Sequence, residues 1–294
     1  MNSNFPKTHL REALASEKPL QMVGAINAYT ALLAEHAGFK ALYLSGAGVA
    51  NASYGLPDLG LTSIENVLED IRRICAVTDL PLLVDADTGF GDPTETVERF
   101  IAAGAAGLHI EDQVEQKRCG HRPNKRLVST DEMCDRIRAA IAGRGKANNF
   151  VIMARTDAFA AEGIEAALQR INRYISAGAE MIFPEALTQL DQYQQITSSI
   201  DVPILANITE FGKTPLFTLA ELKSVDVSIA LYPLTAFRAM SKAAQETYTT
   251  LRNEGTQRAL IGNMQNREEL YQHLDYYRYE SEVDEQLKHD TPKS

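Results

Sequence analysis

The sequence predicts an α/β fold, a single (β/α)8 barrel, on three observations. Eight short apolar runs recur along the chain, segments of helical periodicity separate them, and nearly every run stops at a polar or ionisable residue. Near-continuous apolar character marks strands covered on both faces, as in a parallel sheet wrapped by helices. A doubly wound open sheet would satisfy the first two observations. The third favours the barrel, which gathers the carboxyl ends of all strands on one rim. An open sheet would spread them too far apart to share one small ligand.

The runs follow in order. Residues 22–27 end at Asn27, 41–45 at Ser45, 82–87 at Asp85 and Asp87, and 107–112 at Glu111 and Asp112. Residues 151–156 carry Arg155 near their end, 181–185 end at Glu185, 204–209 at Asn207 and Thr209, and 227–233 at Pro233. Between them, residues 62–77 place Ile64, Val67, Leu68, Ile71 and Ile74 at a helical period. Asp92-Pro93-Thr94-Glu95 opens another helix, with Asp92 as cap and proline at the first helical position. Gly104 and Gly178 each end a helix just before a strand. A helix over 237–252 follows the eighth strand. Residues 266–287 are polar and tyrosine-rich, with Leu270, Tyr271, Leu274 and Tyr277 at helical spacing. That late aromatic face is expected to pack on a partner subunit. No linker marks a boundary, so residues 1–294 read as one barrel domain with a helical extension from about 264.

Composition narrows the function. Hydrophobic residues make up 45% of the 294, enough for a substantial core. The net charge of −10 argues against a broad nucleic-acid or membrane-binding face. No apolar run approaches the roughly 20 residues that span a bilayer, and residues 1–19 lack the apolar core of a signal peptide. A cytoplasmic protein is expected. The three cysteines are widely spaced, without metal-ligand spacing. Cys75 and Cys134 fall in helical segments as small apolar residues. Cys119 is different: in Lys117-Arg118-Cys119-Gly120-His121, two cations and an imidazole favour the thiolate.

Several strand ends carry chemistry. Alternation sends Asp85 and Asp87 to one side of the third strand, and such paired oxygens suit Mg²⁺ or Mn²⁺. Glu111 and Asp112 stand where carboxylates would hold the ion's water. Ser45-Gly46-Ala47-Gly48 leaves backbone amides open to a carboxylate. Tyr43 lies on the same side as Ser45, as a site residue or a packing aromatic. Arg155 in an apolar run needs an anion; Glu185, Asp157 or a substrate carboxylate each qualifies. Arg238 and Arg267 are further cations, for the site or the surface. Asn207 and Thr209 offer same-side hydrogen-bonding groups, His109 reads as a satisfied core histidine, and His121 as a neighbour that tunes Cys119. This set fits an α-hydroxy or α-keto acid whose C–C bond breaks or forms beside a carboxylate, with a positioned acid protonating the carbon left behind.

Lys117-Arg118-Cys119-Gly120-His121, Asp85-Ala86-Asp87-Thr88-Gly89 and Ile110-Glu111-Asp112-Gln113 together resemble the isocitrate lyase and phosphoenolpyruvate mutase superfamily. The cysteine pentapeptide, its extension to Lys125 and the compact length look like the branch acting on 2-methylisocitrate, over about residues 5–280. The resemblance implies a barrel whose last helix exchanges between subunits of a homotetramer, a dimer of dimers. It implies a small tricarboxylate substrate, (2S,3R)-2-methylisocitrate, cleaved to pyruvate and succinate in propionate breakdown through the methylcitrate cycle. Under it Asp85 and Asp87 hold Mg²⁺, and Ser45, Gly46 and Ala47 bind the pyruvate end. Cys119 protonates the succinate carbanion, Gly120 contacts ligand, and Tyr43 is one candidate for taking the hydroxyl proton. Arg155, Glu185, Asn207, Ile208, Thr209, Arg238 and Arg267 complete the substrate site. Phe183, Leu231 and Pro233 stand where isocitrate lyases carry bulkier residues, tryptophan among them; this chain has no tryptophan. The alternatives are isocitrate cleavage, oxaloacetate decarboxylation or phosphonate mutation on the same scaffold, and a non-catalytic binding barrel.

Overall fold

Eight parallel strands form one sheet in the computed structural model, which describes residues 9–115 and 125–290, with side chains through 287. The strands are β1 (Leu20–Gly24), β2 (Ala41–Leu44), β3 (Leu82–Asp85), β4 (Gly107–Glu111), β5 (Val151–Thr156), β6 (Met181–Pro184), β7 (Leu205–Asn207) and β8 (Ile229–Tyr232). Neighbours run β6-β5-β4-β3-β2-β1-β8-β7. A parallel bridge between Ile182 and Ile204 links the outer members, so the sheet closes into the expected barrel. Each strand lies inside or overlaps its predicted run, and most stop one or two residues early. Asn27, Ser45, Asp87, Glu185 and Thr209 lie past the ladder in the turns, while Asp85, Glu111 and Asn207 end their strands.

The side-chain period of two divides the barrel into two apolar layers. Leu20, Met22, Tyr43, Leu83, Met153, Phe183, Leu205 and Leu231 fill the interior with no more than 3% exposure. Leu42, Leu44, Val84, Leu108, Ile110, Ile152, Ile182 and Ala206 face outward beneath the helices. The helix Ile64–Cys75 meets this layer with Val67, Leu68, Ile71 and Ile74, the predicted apolar stripe. Asp92 caps Pro93–Ala103 by accepting from the amides of Thr94 and Glu95, and Gly104 ends that helix at φ 104°. Gly24 serves a close approach: a Cβ there would lie 1.8 Å from the carbonyl oxygen of Pro233, where β1 runs beside the end of β8.

The chain divides into two compact units, Met1–Arg238 and Ala239–Ser294. In the second, the late aromatic segment is two helices rather than one, Arg267–His273 and Tyr276–Asp290. The break is at Asp275, whose φ of 52° cannot continue a right-handed helix. The rings of Tyr271 and Tyr276 stack across it at 4.0 Å. Among the described residues no helix is long and apolar enough to cross a membrane.

The Gly24–Pro233 contact yields a test. Gly24→Ala forces the ends of β1 and β8 apart, with an expected loss of about 1–3 kcal/mol, read as a lower urea midpoint with an unchanged m-value. An unchanged midpoint would show that this seam has slack.

Candidate active site

The strand alternation that packs the interior also aims Asp85, His109, Glu111 and Arg155 inward, at the carboxyl ends of β3, β4 and β5. Register aligns Asp85 with His109, Glu111 with Arg155, and Arg155 with Phe183. Glu185 follows β6 and Asn207 ends β7. All of these residues are at least nine-tenths buried.

Asp85 and Asp87 converge, but not by the predicted strand alternation. β3 ends at Asp85, and Asp87 sits in a turn at φ 47°, left-handed backbone that asparagine and aspartate tolerate best. The Asp87 amide donates to Asp85 Oδ1 at 3.0 Å, and the Asp87 carbonyl accepts from the Glu111 amide at 2.9 Å. Across from them, Gly46 donates its amide to Asp85 Oδ2 at 3.0 Å. A Cβ on Gly46 would lie 3.1 Å from Asp85 Oδ2 and 3.1 Å from Asp87 Oδ1, so both carboxylates aim at the space a side chain would take. Among the described residues no group of three His, Cys, Asp or Glu forms a metal cluster. Two hard carboxylates suit Mg²⁺, which keeps much of its shell for water and substrate oxygens. The Gly46 amide therefore lies at the point on which the two carboxylates converge.

Tyr43 lies beneath this pair. Its hydroxyl is 2.8 Å from His109 Nε2 and 3.5 Å from Asp85 Oδ2, and its ring stacks on the imidazole. Burial first, then the charges of Asp85, Glu185 and Asp87, push the phenol well above its ordinary pKa, against a smaller opposing effect of Arg155. The resting group is a phenol, which suits a hydrogen-bond donor better than a base. His109 is a buried histidine as predicted, yet it belongs to the site: it touches Tyr43, lies 3.7 Å from Asp85 Oδ1 and meets the Phe183 ring edge-on.

Arg155 faces carboxylates on several sides. Its Nε and Nη2 meet Asp157 at 3.1 and 3.4 Å, Nη1 meets Glu111 at 3.3 Å, and Nε lies 4.0 Å from Glu185. Its guanidinium carbon sits 5.2 Å from the centre of the Phe183 ring. Burial opposes the charge, but Asp157, Glu111, Glu185 and Asp85 outweigh it and raise the arginine's pKa well above the ordinary value. Glu185 also accepts from Asn207 Nδ2 at 3.3 Å.

Other predicted residues are distributed unevenly. Ser45, Asn207 and Thr209 are buried near these strand ends. Asp112 does not share the mouth with Glu111. Consecutive strand residues face opposite ways, and Asp112 accepts from the Thr156 and Tyr174 hydroxyls and the Asp157 amide. Ile208 packs its side chain in the outer apolar layer and donates its amide to the Leu231 carbonyl, so only its carbonyl is left for a ligand. Phe183 and Leu231 are interior packing residues beneath the mouth, and Pro233 abuts Gly24. Arg238 pairs with Glu210 at 3.5 Å and rests over the exposed Phe211 ring. Arg267 is exposed in the second unit. Ala47 lies in the short turn of helix after Ser45. Cys119, Gly120 and His121 lie outside the described residues. The sequence reading offered Asp157 as one anion for Arg155; that Lys125 and Asp112 also hold Asp157 is added by the structure.

Residues 10–252 match the family model for phosphoenolpyruvate phosphomutase. The chain belongs to this family. A 2-methylisocitrate lyase of Escherichia coli (strain K12) is 58% identical over 288 residues, covering 97% of each chain. A crystallised 2,3-dimethylmalate lyase, a member of the phosphoenolpyruvate mutase/isocitrate lyase superfamily, superposes with a TM-score of 0.85 at 33% identity, covering 95% of this chain and 94% of its own. A phosphonopyruvate hydrolase crystallised with oxalate and Mg²⁺ superposes with a TM-score of 0.80 at 30% identity, covering 92% and 95%. The family fold is therefore the closed barrel described above.

The charge balance around Arg155 is testable. Arg155→Met leaves Glu111, Asp157 and Glu185 without their shared cation, at an expected cost of about 3–5 kcal/mol. The loss should appear as a lower urea midpoint with an unchanged m-value. A parental midpoint would show that the carboxylates are neutralised in another way.

Proposed function

We propose that this protein is a metal-dependent carbon–carbon lyase that cleaves (2S,3R)-2-methylisocitrate to pyruvate and succinate, a step of propionate breakdown through the methylcitrate cycle. The observation that carries the reading is near-complete coverage at 58% identity to a 2-methylisocitrate lyase, joined to a mouth that pairs two converging carboxylates with a buried arginine. Asp85 and Asp87 would hold Mg²⁺, with Mn²⁺ as a substitute. When bound, that ion supplies Lewis-acid polarisation of the substrate's 2-oxygen and carboxylate.

The remaining work falls to the chain's own groups. Arg155 binds a substrate carboxylate with the N–H groups that its protein partners leave available, and Asn207 and Thr209 add hydrogen bonds. The 2-hydroxyl passes its proton to water at the mouth, C2 becomes the carbonyl carbon of pyruvate, and the C2–C3 bond breaks. Its electron pair stays on C3, stabilised by the adjacent carboxylate. Cys119 delivers a proton to that carbon, with His121 and the neighbouring cations tuning the thiol. Tyr43, held by His109, orients an oxygen at the reacting end, and Glu111 steadies Arg155. Ser45, Gly46 and Ala47 flank the pyruvate end and Gly120 the succinate end. Phe183, Leu231 and Pro233 shape the volume that accepts the 2-methyl group. Arg238 and Arg267 serve the outer carboxylates, and the second unit joins the barrel of a neighbouring copy in a cytoplasmic homotetramer.

Purified protein with Mg²⁺ should form pyruvate from 2-methylisocitrate about 10–200-fold more efficiently than glyoxylate from isocitrate, the range one methyl group provides. Equal efficiencies would remove the assigned preference. A chelator should abolish turnover and added Mg²⁺ restore it; turnover indifferent to chelation would rule out the metal. Cys119→Ser should lower kcat by about 100–10,000-fold, the usual share of a positioned acid, with a parental melting curve. Near-parental kcat would exclude the thiol as proton donor.

A further inference from the structure

Asp157 is fully buried beside the mouth, and two buried cations share it. Arg155 approaches it with Nε and Nη2 at 3.1 and 3.4 Å, and Lys125 Nζ lies 2.5 Å from its Oδ1. The Lys125 side chain is only 3% exposed, although lysine rarely abandons water without a strong partner. Behind this pair, Asp112 Oδ1 accepts the Asp157 amide at 2.9 Å. Asp112 is itself fixed by the Thr156 hydroxyl at 2.6 Å and the Tyr174 hydroxyl at 2.9 Å. Arg170 Nη1 lies 3.9 Å from Asp112 and donates to Tyr174 and to the Val128 carbonyl.

The arrangement is directional. An arginine is a planar fork, and one carboxylate taking its Nε–Nη2 edge fixes the plane of the whole group. Here that edge faces Asp157, while Nη1 faces Glu111 and the flat face covers Phe183. Without Asp157, Nε has Glu185 nearby at 4.0 Å, and the fork would turn toward it. Lys125 sets the strength of this hold. By sharing Asp157 it weakens that carboxylate's claim on Arg155 and adds positive potential where a polyanionic ligand must bind.

We infer that Asp157, anchored by Asp112 and shared with Lys125, is the positioning residue that aims Arg155 at the substrate carboxylate. The inference deepens the proposed function and rests on Arg155 binding substrate there. It extends recognition of a polycarboxylate to two residues, Lys125 and Asp157, that act through or beside the arginine.

The test uses the full-length enzyme with Mg²⁺ and the variants Asp157→Asn, Lys125→Met and their double. Kinetics with 2-methylisocitrate and calorimetric binding of succinate are read together, with a thermal melt for each protein. Asp157→Asn should raise KM about 10-fold or more and weaken succinate by a similar factor, while kcat changes less than about threefold. Lys125→Met should raise KM by a smaller factor, and the double variant should show less than the product of the two effects. The inference is overturned by a KM and succinate affinity within twofold of the parent, by a fall in kcat with KM unmoved, or by multiplicative effects in the double variant. If Asp157→Asn does not fold, Lys125→Met decides alone: a raised KM and weakened succinate binding support the inference, and parental values overturn it. A parent that fails to cleave 2-methylisocitrate defeats the proposed reaction, and succinate binding in the variants still decides the role of Asp157.

Discussion

The pairing of Arg155 with carboxylates at the ends of β4, β5 and β6 is the constraint on which the rest of the mouth depends. Glu111, Asp157 and Glu185 are each at most 1% exposed, and Asp85 and Asp87 lie on the same rim. Buried carboxylates in such number repel one another and resist ionisation. A guanidinium stays charged in almost any surroundings and meets several oxygens at once. Lys125 supplies a second cation at Asp157. Together they offset the negative charge gathered on this rim, and under the proposed function charge balance and ligand recognition would share the same atoms.

The barrel makes this concentration of charge affordable by filling the volume beneath it. Tyr43, Met153, Phe183 and Leu231 close the interior, and Phe183 provides an apolar surface under both Arg155 and His109. Two glycines serve this design at opposite scales. Gly24 lets β1 approach the end of β8, and Gly46 leaves room at the point toward which Asp85 and Asp87 turn. Functional geometry therefore depends on positions where a single methyl group would intrude.

Much of the architecture was legible because apolar continuity and polar strand ends report directly on parallel strands and their shared rim. Asp85, Glu111, Arg155, Glu185 and Asn207 were recognisable from that pattern alone. What escaped were features decided beyond the strand period. Asp87 reaches its place through a left-handed turn rather than alternation. Asp112, adjacent to Glu111 in sequence, faces the opposite layer. Lys125 is distant from Asp157 in sequence, and no local pattern announces a buried ion pair across that separation. The late tyrosine-rich segment carried a helical period throughout, which hid the break at Asp275.

The central claim is that one site lies between the carboxylates of Asp85 and Asp87 and the guanidinium of Arg155. Anomalous diffraction from crystals grown with Mn²⁺ and succinate tests it most directly. The expected result is one strong Mn²⁺ peak held by Asp85 and Asp87, directly or through water, with a succinate carboxylate on Arg155. An ion bound away from those two aspartates, or a succinate that leaves Arg155 untouched, would contradict the account.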